Sequence, residues 1–356
     1  MKIVTVVGAR PQFIKAAPVS KALREGGHTE FLLHTGQHYD YGMSQVFFDE
    51  LGLPEPEANL NVRSGNHGQQ TGQMLIGIEQ ILLAEKPDWV LVYGDTNSTL
   101  AGALAAVKLQ LPLAHVEAGL RSFNRQMPEE HNRVLTDHCA NLLFCPTKTA
   151  VENLAKEGIT KGVHEVGDPM YDAVLMFSEK AAKTSTILQD LGLEKGGYLL
   201  ATIHRAYNTD DPQTLESLVS ALEAICETVV FPIHPRTRQR LQDFGILNHV
   251  PDNLRVIDPV TYLDMLMLER NARMILTDSG GVQKEAFFFG IPCLTLRPET
   301  EWVETTQSGW NLLVGTDQEC ILAGLQHDFP APDQQPALFG NGQSADDIVH
   351  FLGSAQ

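Results

Sequence analysis

The sequence predicts an α/β protein of two doubly wound, Rossmann-like domains that face each other across a cleft. Short apolar segments alternate with helical segments along nearly the whole chain, which is typical of parallel sheets with right-handed crossovers. The chain has 356 residues, too many for one typical core and enough for two domains. Carboxyl ends of two such sheets would line one ligand-binding cleft.

The predicted strands fall into two series, and each series would form its own sheet. The first comprises Lys2 to Val7, Phe31 to Thr35, Trp89 to Tyr93, Leu113 to Val116, Leu142 to Pro146 and His164 to Val166. The second comprises Tyr198 to Ile203, Val229 to Ile233, Leu254 to Ile257, Met274 to Thr277 and Pro292 to Leu296.

A polar, helix-prone stretch from Phe177 to Gly197 separates the two series and indicates a domain boundary nearby. We therefore expect a first domain at residues 1–172, a second at 173–340, and a C-terminal segment, 341–356, that packs back on the first domain. The stretch from Asp328 to Ser344, rich in Pro, Gln and Gly, is typical of a surface segment before a last short helix, Ala345 to Leu352.

Composition excludes several classes of function. A formal net charge of −18 argues against a nucleic-acid or membrane surface, because both require basic patches. No apolar run reaches the roughly 20 residues that span a bilayer, and the first residues form a strand instead of a signal peptide, so we expect a cytoplasmic protein. The five cysteines and the histidines show no metal-ligand spacing, which predicts buried free thiols and no bound metal.

The segment Asp278-Ser279-Gly280-Gly281 follows an apolar strand and precedes a helix. Two glycines allow a sharp turn and close approach of a ligand, and the helix start offers unpaired amides to an anion. Glu285 follows one turn later, where a carboxylate can bind ribose hydroxyls. Simple capping of a strand-to-helix turn is the alternative interpretation. The pattern predicts a phosphorylated sugar or a nucleotide as ligand.

A second turn, after the first strand, carries Arg10 and Lys15 near the start of a helix. The dinucleotide fingerprint and the P-loop pattern are both absent from the sequence, which disfavours NAD and ATP. A guanidinium and an ammonium beside a helix start suit a phosphate or a carboxylate. Ordinary surface cations are the alternative.

Three carboxylates stand at places that suggest acid/base chemistry. Asp95 follows the strand ending at Tyr93, although it could simply cap the next helix. Glu117 ends the following apolar strand, where few structural reasons call for a charge. Glu129 lies in the first turn of a helix, a position that the helix dipole also explains. Together they would allow one acid to abstract a proton while another stays protonated.

In the second domain, polar residues follow successive strands. His204 and His234 end the first and second strands of that series, and Arg297 and Glu301 follow the last. A histidine at a strand end can merely satisfy a backbone group, but two in succession favour a polar ligand crevice. These side chains complete a predicted polyanion site.

Taken together, these motifs resemble the non-hydrolysing UDP-N-acetylglucosamine 2-epimerase family over nearly the whole chain. The motifs are Gly8-x-Arg10-Pro11, Gly94-Asp95-Thr96, His115-Val116-Glu117-Ala118-Gly119-Leu120-Arg121, Pro128-Glu129-Glu130-x-Asn132-Arg133, His204-Arg205 and Thr277-Asp278-Ser279-Gly280-Gly281-x-Gln283-x-Glu285. Six spaced motifs are far more specific than one.

The resemblance implies a glycosyltransferase-B-like fold that binds a UDP-sugar without any cofactor or metal. It implies loss of the C2 proton and of UDP to give a glycal, then re-addition of UDP to give the other C2 epimer. It also implies a homodimer and a role in surface polysaccharide synthesis. The implied acid/base residues are Asp95, Glu117 and Glu129, with His204 assisting the departing diphosphate. The implied UDP-binding residues are Arg10, Lys15, His234, Ser279, Gly280, Gly281, Glu285 and Arg297.

The sequence departs from many members at Ala9, Gln12 and Tyr207. The segment Gln37 to Tyr41 differs from that of the best-known bacterial members, so their activation by a second UDP-N-acetylglucosamine cannot be carried over. This pattern resembles a branch that acts on UDP-2,3-diacetamido-2,3-dideoxyglucuronate. A uronate would require an extra cation, for which Arg121, Arg125 and Arg205 are the candidates. We keep UDP-N-acetylglucosamine as the first expectation.

Three further functions stay open at the level of sequence. A glycosyltransferase on the same scaffold needs one base and an acceptor groove, whereas epimerisation needs acids on both faces of the sugar. A sugar-nucleotide sensor would bind without turnover, and a hydrolysing variant would release the glycal to water. The presence of Asp95, Glu117 and Glu129 together favours the epimerase.

Overall fold

The computed structural model describes residues 1–37, 48, 50–63, 65–246 and 251–355. The chain divides into two compact units, Met1–Met176 with Ala337–Gln356, and Phe177–Pro336. The division at Met176 lies within a helix, Pro169–Thr184, a few residues after the expected boundary at residue 172. Within the described ranges no helix is long and apolar enough to cross a membrane.

The first unit contains a seven-stranded parallel sheet in the order β3-β2-β1-β4-β5-β6-β7. Its strands are β1 (Lys2–Val7), β2 (Thr29–His34), β3 (Ala58–Asn59), β4 (Trp89–Tyr93), β5 (Leu113–Val116), β6 (Leu142–Cys145) and β7 (Val163–Glu165). The helices up to the unit boundary are α1 (Arg10–Glu25), α2 (His67–Glu85), α3 (Asn97–Lys108), α4 (Pro128–Cys139), α5 (Lys148–Lys156) and α6 (Pro169–Thr184).

The second unit contains a six-stranded parallel sheet in the order β10-β9-β8-β11-β12-β13. Its strands are β8 (Leu199–Thr202), β9 (Val229–Pro232), β10 (Leu254–Ile257), β11 (Met274–Thr277), β12 (Cys293–Thr295) and β13 (Asn311–Leu313). The remaining helices are α7 (Ile187–Asp190), α8 (Ala206–Thr209), α9 (Pro212–Glu223), α10 (Pro235–Asp243), α11 (Tyr262–Asn271), α12 (Gly280–Phe288), α13 (Val303–Gln307), α14 (Gln318–Gly324), a 3-10 helix at Pro332–Gln334, and α15 (Ser344–Ser354) of the first unit.

Both sheets are doubly wound because alternate residues of their strands pack to opposite faces. In β8, Leu199 and Ala201 belong to one apolar core, and Leu200, with the preceding Tyr198, belongs to the core on the other face. Burial on both faces explains why such strands read as continuous apolar runs in the sequence. The strand order reverses between β1 and β4, and again between β8 and β11, and these two points are where open α/β sheets bind ligands.

Two strands were absent from the predicted series. They are β3 and β13, with two and three residues, and each lies at the edge of its sheet. Neither edge strand is continuously buried, so neither gives the apolar run on which the prediction depended. The segment before α15, expected to lie at the surface, contains Phe339, which is buried and whose carbonyl accepts the Asp168 amide.

Candidate functional site

Neighbouring strand ends bring the predicted residues of the first unit to one edge of its sheet. β1, β4 and β5 are adjacent, with Val6 opposite Val92 and Tyr93 opposite Val116. Their carboxyl ends lead into the turn before Arg10, into Asp95 and into Glu117. This edge lies beside the reversal of strand order between β1 and β4. The sheet therefore supplies a common location for these side chains.

Lys15 and Glu117 form an ion pair that is almost closed to solvent. The Lys15 ammonium, on α1, contacts Oε2 of Glu117, and each residue is only 7% exposed. Glu117 has a φ of 71°, a left-handed conformation that is uncommon for a residue with a side chain and concentrates at functional sites. Gly94 directly follows the neighbouring strand β4, and a Cβ at this position would lie 3.1 Å from the same Glu117 oxygen. Glycine thus leaves space for the Glu117 carboxylate.

Asp95 does not cap the helix that follows it. α3 begins at Asn97, and its cap is Thr96, whose side chain accepts the Thr99 amide. The Asp95 carboxylate instead pairs with Arg133 of α4, Nη2 to Oδ2 at 2.5 Å. The capping interpretation of Asp95 is therefore wrong, because Thr96 already supplies the cap.

The two acids at the start of α4 have different surroundings. Glu129 is half-buried. Glu130 is buried, and its carboxylate accepts the amides of Ser122 and Phe123, each at 2.9 Å, and pairs with Arg133. Glu130 thus holds the loop before the helix, which leaves Glu129 as the acid of this pair for chemistry.

Three residues at positions that depart from the family pattern make structural hydrogen bonds. The Gln12 side chain accepts the amides of Gly8 and Ala9 at 2.8 and 3.0 Å and donates to the Tyr93 carbonyl at 2.7 Å. It therefore links the turn after β1 to the end of β4. The Tyr207 hydroxyl donates to the Leu296 carbonyl at 2.9 Å, next to Arg297. The Gln37 side chain accepts the Ser98 hydroxyl at 2.7 Å, whereas His38 to Tyr41 lie outside the described residues.

Two buried residues of the first unit, His115 and Asp137, lie beneath the strand ends that carry Asp95 and Glu117. Neither of them was assigned a role from the sequence. His115 Nδ1 lies 2.7 Å from an Asp137 oxygen, and Nε2 lies 2.7 Å from the Gly94 carbonyl. Both ring nitrogens of this buried side chain are therefore held by polar partners. The contact with Nε2 fixes the carbonyl immediately before Asp95. The sequence signal that could have identified this contact is a histidine inside an apolar strand, two residues before Glu117.

Arg121 is removed from the candidate cations for a uronate. Its side chain is 1% exposed and pairs with Asp137 and Glu157, each at 2.7 Å. Burial alone would lower the pKa of Arg121, but these two carboxylates raise it, so the guanidinium stays charged and fully engaged. Arg125 is exposed, and Arg205 is half-buried with an Nε that has no partner among the described residues.

In the second unit, Asp278 fixes the loop that carries His204. Asp278 is fully buried at the end of β11 and accepts the amides of His204 and Arg205, both at 2.9 Å through Oδ2. His204 Nδ1 also lies 3.4 Å from Oδ1 of Asp278. Burial lowers the pKa of His204, against the opposing effect of the Asp278 charge. The lowered pKa favours the neutral imidazole. Asp278 is an orienting residue that sequence reasoning left without a role.

The helix start predicted to bind phosphate is present. Ser279 caps α12, and a Cβ at Gly280 would lie 2.4 Å from Oε1 of Glu301, so a larger residue would require the Glu301 carboxylate to move. Glu301 pairs with Arg297, Nη2 to Oε2 at 2.9 Å. Burial alone would lower the pKa of Arg297, but Glu301 raises it above its ordinary value. Arg297 Nη1 is buried without a partner among the described residues, which leaves a charged donor for an anion.

The last two predicted binding residues of this unit differ in exposure. Glu285 is 4% exposed on α12, and the Tyr262 hydroxyl donates to its Oε1 at 3.0 Å. His234 is exposed, caps α10 and accepts the Arg236 amide through Nδ1 at 3.2 Å, which leaves Nε2 as its N–H. The ring centroids of His204 and His234 are 6.1 Å apart. The two histidines, which follow the neighbouring strands β8 and β9, therefore lie close together.

Comparisons with known proteins agree with these motifs. The sequence model described as UDP-N-acetylglucosamine 2-epimerase matches residues 21–353. The chain is 56% identical over 355 residues to a UDP-N-acetylglucosamine 2-epimerase homolog of Methanococcus maripaludis, with 99% of each chain covered. It is 51% identical over 361 residues to the UDP-2,3-diacetamido-2,3-dideoxy-D-glucuronate 2-epimerase of Pseudomonas aeruginosa, again with 99% of each covered.

Solved structures are similar over the same length. The UDP-GlcNAc 2-epimerase of Methanocaldococcus jannaschii, in complex with UDP-GlcNAc and UDP, has a TM-score of 0.93 and 45% identity, covering 99% of this chain and 100% of that one. The calicheamicin glycosyltransferase CalG4 has a TM-score of 0.59 at 14% identity, covering 99% and 98%, and shows the glycosyltransferase-B-like fold alone. Given the family match and these identities, the chain belongs to the UDP-N-acetylglucosamine 2-epimerase family.

Proposed function

We propose that this chain is a non-hydrolysing UDP-N-acetylglucosamine 2-epimerase, an isomerase that interconverts UDP-GlcNAc and UDP-ManNAc. The observation that carries the proposal is the location of Asp95 and Glu117 at adjacent strand ends, each already paired with a buried cation. Such an edge supplies more than one acid/base group, which proton exchange at a single carbon requires. The family match and the UDP-GlcNAc complex of the M. jannaschii relative support the same reaction.

The proposed reaction has two steps, elimination of UDP and its re-addition. A carboxylate takes the C2 proton, the C2 electron pair forms the C1–C2 double bond, and the C1–O bond breaks to release UDP and leave 2-acetamidoglucal. In reverse, UDP adds to C1 while a proton reaches the opposite face of C2. We assign the proton transfers to Asp95, Glu117 and Glu129. His204 would stabilise the departing diphosphate, whose charge would raise the lowered pKa of this imidazole.

We assign UDP binding mainly to the second unit. The start of α12 with Ser279, Gly280 and Gly281 would bind the diphosphate, together with Arg297, whose Nη1 lacks a partner among the described residues. Glu285 would bind the ribose hydroxyls, and His234 and Arg10 would provide further contacts. The Lys15 ammonium contacts Glu117, so we propose that it acts on this acid/base group, and direct contact with UDP would require the pair to open.

A second candidate is the epimerisation of UDP-2,3-diacetamido-2,3-dideoxyglucuronate. Identity to the P. aeruginosa enzyme of that name is 51%, higher than the 45% to the M. jannaschii UDP-GlcNAc 2-epimerase. With Arg121 engaged by two carboxylates, Arg205 is the half-buried cation that could pair with the uronate. Replacing Arg205 by Lys would then weaken the uronate substrate more than UDP-GlcNAc, because Lys lacks the bidentate fork.

The deciding experiment is proton NMR of the purified protein in heavy water with each sugar nucleotide in turn. Deuterium at C2 and a new epimer with UDP-GlcNAc support the first candidate, and exchange only with the diacetamido-uronate supports the second. Free sugar with UDP would indicate the hydrolysing variant. Exchange with neither substrate would contradict both candidates and favour the transferase or the sensor.

A pair of carboxylate variants provides the matched control for that experiment. Glu117→Gln should abolish exchange at C2. Glu165→Gln alters an exposed carboxylate at the end of β7 in the same sheet, two strands from β5, and should leave exchange unchanged. Equal loss in both variants would show that the assay reports damage to the sheet instead of chemistry.

We also propose that the chain forms a homodimer through the exposed face of α2. Ile76 and Leu83 are 60% and 57% exposed and seven residues apart, which places them on one face of the helix. Ile76→Asp should therefore convert a dimer to a monomer in sedimentation velocity, whereas a monomeric wild-type protein would contradict the proposal. A cytoplasmic location stays a prediction from the composition, and a role in surface polysaccharide synthesis stays a prediction from the resemblance.

A further inference from the structure

A single helix of the first unit holds Asp95 and also carries another of the acids assigned to proton transfer. Glu129 lies in the first turn of α4. One turn further along, the Asn132 side chain donates to the Asp95 carbonyl at 2.9 Å, and Arg133 pairs with the Asp95 carboxylate. The helix thus holds both the backbone and the side chain of Asp95. Asp137, which is 1% exposed, lies in the last turn of the same helix.

The Asp137 carboxylate connects the turns that follow two neighbouring strands, β4 and β5. One of its oxygens lies 2.7 Å from Nδ1 of His115, and Nε2 of the same ring lies 2.7 Å from the Gly94 carbonyl after β4. The other oxygen accepts the Gly119 amide after β5 at 3.1 Å. His115 and Asp137 are both buried, so water does not compete for these contacts. One carboxylate therefore sets the spacing of the two turns.

The two turns are held by different means. In the turn after β5, Glu117 has a left-handed φ of 71°, and such a conformation persists only where the surroundings enforce it. A Cβ at Gly119 would lie 2.4 Å from the Ala150 carbonyl oxygen, so this turn is packed against the backbone of α5. In the turn after β4, the carbonyls of Gly94 and Asp95 are instead held by the His115 and Asn132 side chains. Loss of the imidazole therefore loosens the turn after β4 first.

We propose that His115 is a positioning residue for proton transfer, oriented by Asp137. Through the Gly94 carbonyl it fixes the place of Asp95 relative to Glu117. This inference rests on the proposed function, because it assumes that Asp95 and Glu117 exchange protons with C2. Loss of the His115 contact then slows one of the two proton transfers more than the other, whereas a merely structural role slows both equally.

The test is proton NMR of the full chain in heavy water with UDP-GlcNAc. It compares the initial rates at which deuterium enters C2 of the recovered substrate and C2 of the new epimer. The glycal either returns to the substrate or proceeds to the epimer, so the ratio of these rates compares the two proton transfers. The diacetamido-uronate replaces UDP-GlcNAc if only the uronate exchanges. Steady-state kinetics on the same preparations give kcat and KM.

His115→Phe fills the space of the imidazole and removes both of its polar contacts. We expect kcat to fall at least about tenfold and KM to change less than about twofold, since UDP binding is assigned mainly to the second unit. The deuterium ratio should change at least about threefold, because one barrier rises more than the other. His115→Gln is the conservative variant, since its amide N–H can take the place of Nε2 and donate to the Gly94 carbonyl. It should restore most of kcat and the wild-type ratio.

Val90→Ala is the matched control for stability. Val90 is fully buried in β4, four residues before Gly94, and its truncation destabilises the same strand without removing a hydrogen bond of the Asp95 turn. Thermal unfolding should show a lower melting temperature. At a temperature where the variant is folded, kcat and the deuterium ratio should equal those of the wild type.

An unchanged deuterium ratio in His115→Phe, with or without a lower kcat, would overturn the inference and leave the proposed function intact. Equal changes of the ratio in His115→Phe and Val90→Ala would overturn it too, since damage to the strand would then explain them. If His115→Phe does not fold, His115→Asn takes its place, because its shorter amide reaches Asp137 but not the Gly94 carbonyl. Absence of exchange in the wild-type protein with either sugar nucleotide would overturn both the proposed function and this inference.

Discussion

The carboxylate of Asp278 accepts the backbone amide of His204 through both oxygens, at 3.1 and 2.9 Å. Asp278 follows β11 and His204 follows β8, and these two strands pair at the point where the strand order reverses. The contact therefore ties the histidine loop to the turn that opens α12. One buried carboxylate orders two parts of the proposed diphosphate site.

Asp278→Asn should lower kcat about tenfold at neutral pH, because it loses an acceptor for the histidine loop and the charge that raises the His204 pKa. With that charge removed, the pKa of His204 falls further. If protonated His204 assists departure of UDP, the alkaline limb of the kcat profile moves to lower pH. The measurement is kcat against pH for the wild type, Asp278→Asn and His204→Asn. An alkaline limb at the wild-type position in Asp278→Asn would contradict the assigned role.

Lys15→Met should destabilise the first unit by about 3 kcal/mol, because it leaves the buried Glu117 carboxylate without its cation. Urea unfolding measures this change. The double variant Lys15→Met with Glu117→Gln should recover most of the loss, since no charge then stays buried. Lys21→Met, which removes an exposed ion pair with Glu25, is the control and should change stability by at most about 0.5 kcal/mol. Equal effects of Lys15→Met and Lys21→Met would refute the importance of the buried pair.

Gly94→Ala should reduce both stability and activity, whereas Gly192→Ala should reduce stability alone. Both glycines have left-handed φ values, 61° and 58°, so each substitution costs about 1–2 kcal/mol of backbone strain. At Gly94 the new Cβ would lie 3.1 Å from Oε2 of Glu117. At Gly192 it would have no described atom within 4 Å. Steady-state kinetics and thermal unfolding separate the two effects, and full activity in Gly94→Ala would exclude this contact as important.

Glu157 should stabilise the fold at neutral pH but not in acid. The hydrogen bond from Arg121 holds the pKa of Glu157 below its ordinary value, against a smaller opposing effect of burial. A carboxylate with a lowered folded-state pKa contributes stability above its unfolded pKa and loses it as the pH falls through the folded value. Glu157→Gln should therefore be less stable than the wild type at pH 7, and the two should converge in acid. Urea unfolding at several pH values checks this, and a constant difference would contradict it.

The strands were largely predictable because most of them are buried on both faces. Lys2–Val7, Trp89–Tyr93, Leu113–Val116, Leu254–Ile257 and Met274–Thr277 have the bounds expected from their runs of apolar and β-branched residues. The edge strands β3 and β13 were not predictable, because they have only two and three residues and are not continuously buried.

The sequence by itself determined which residue types stand at the strand ends, since a polar residue after an apolar run can be read without a structure. Asp95, Glu117, His204 and the Ser279 helix start were identified in this way, and the six motifs indicated the family.

Only the tertiary structure decided which charges meet. Lys15 and Glu117 are 102 positions apart, and the sheet order, not their spacing, brings them into contact. From the sequence, Arg121 was a candidate cation for a ligand. In the structure its guanidinium pairs with Asp137 and Glu157. The physical reason is that solvation and pairing, which set the protonation and function of a charged group, depend on neighbours that folding brings from distant segments.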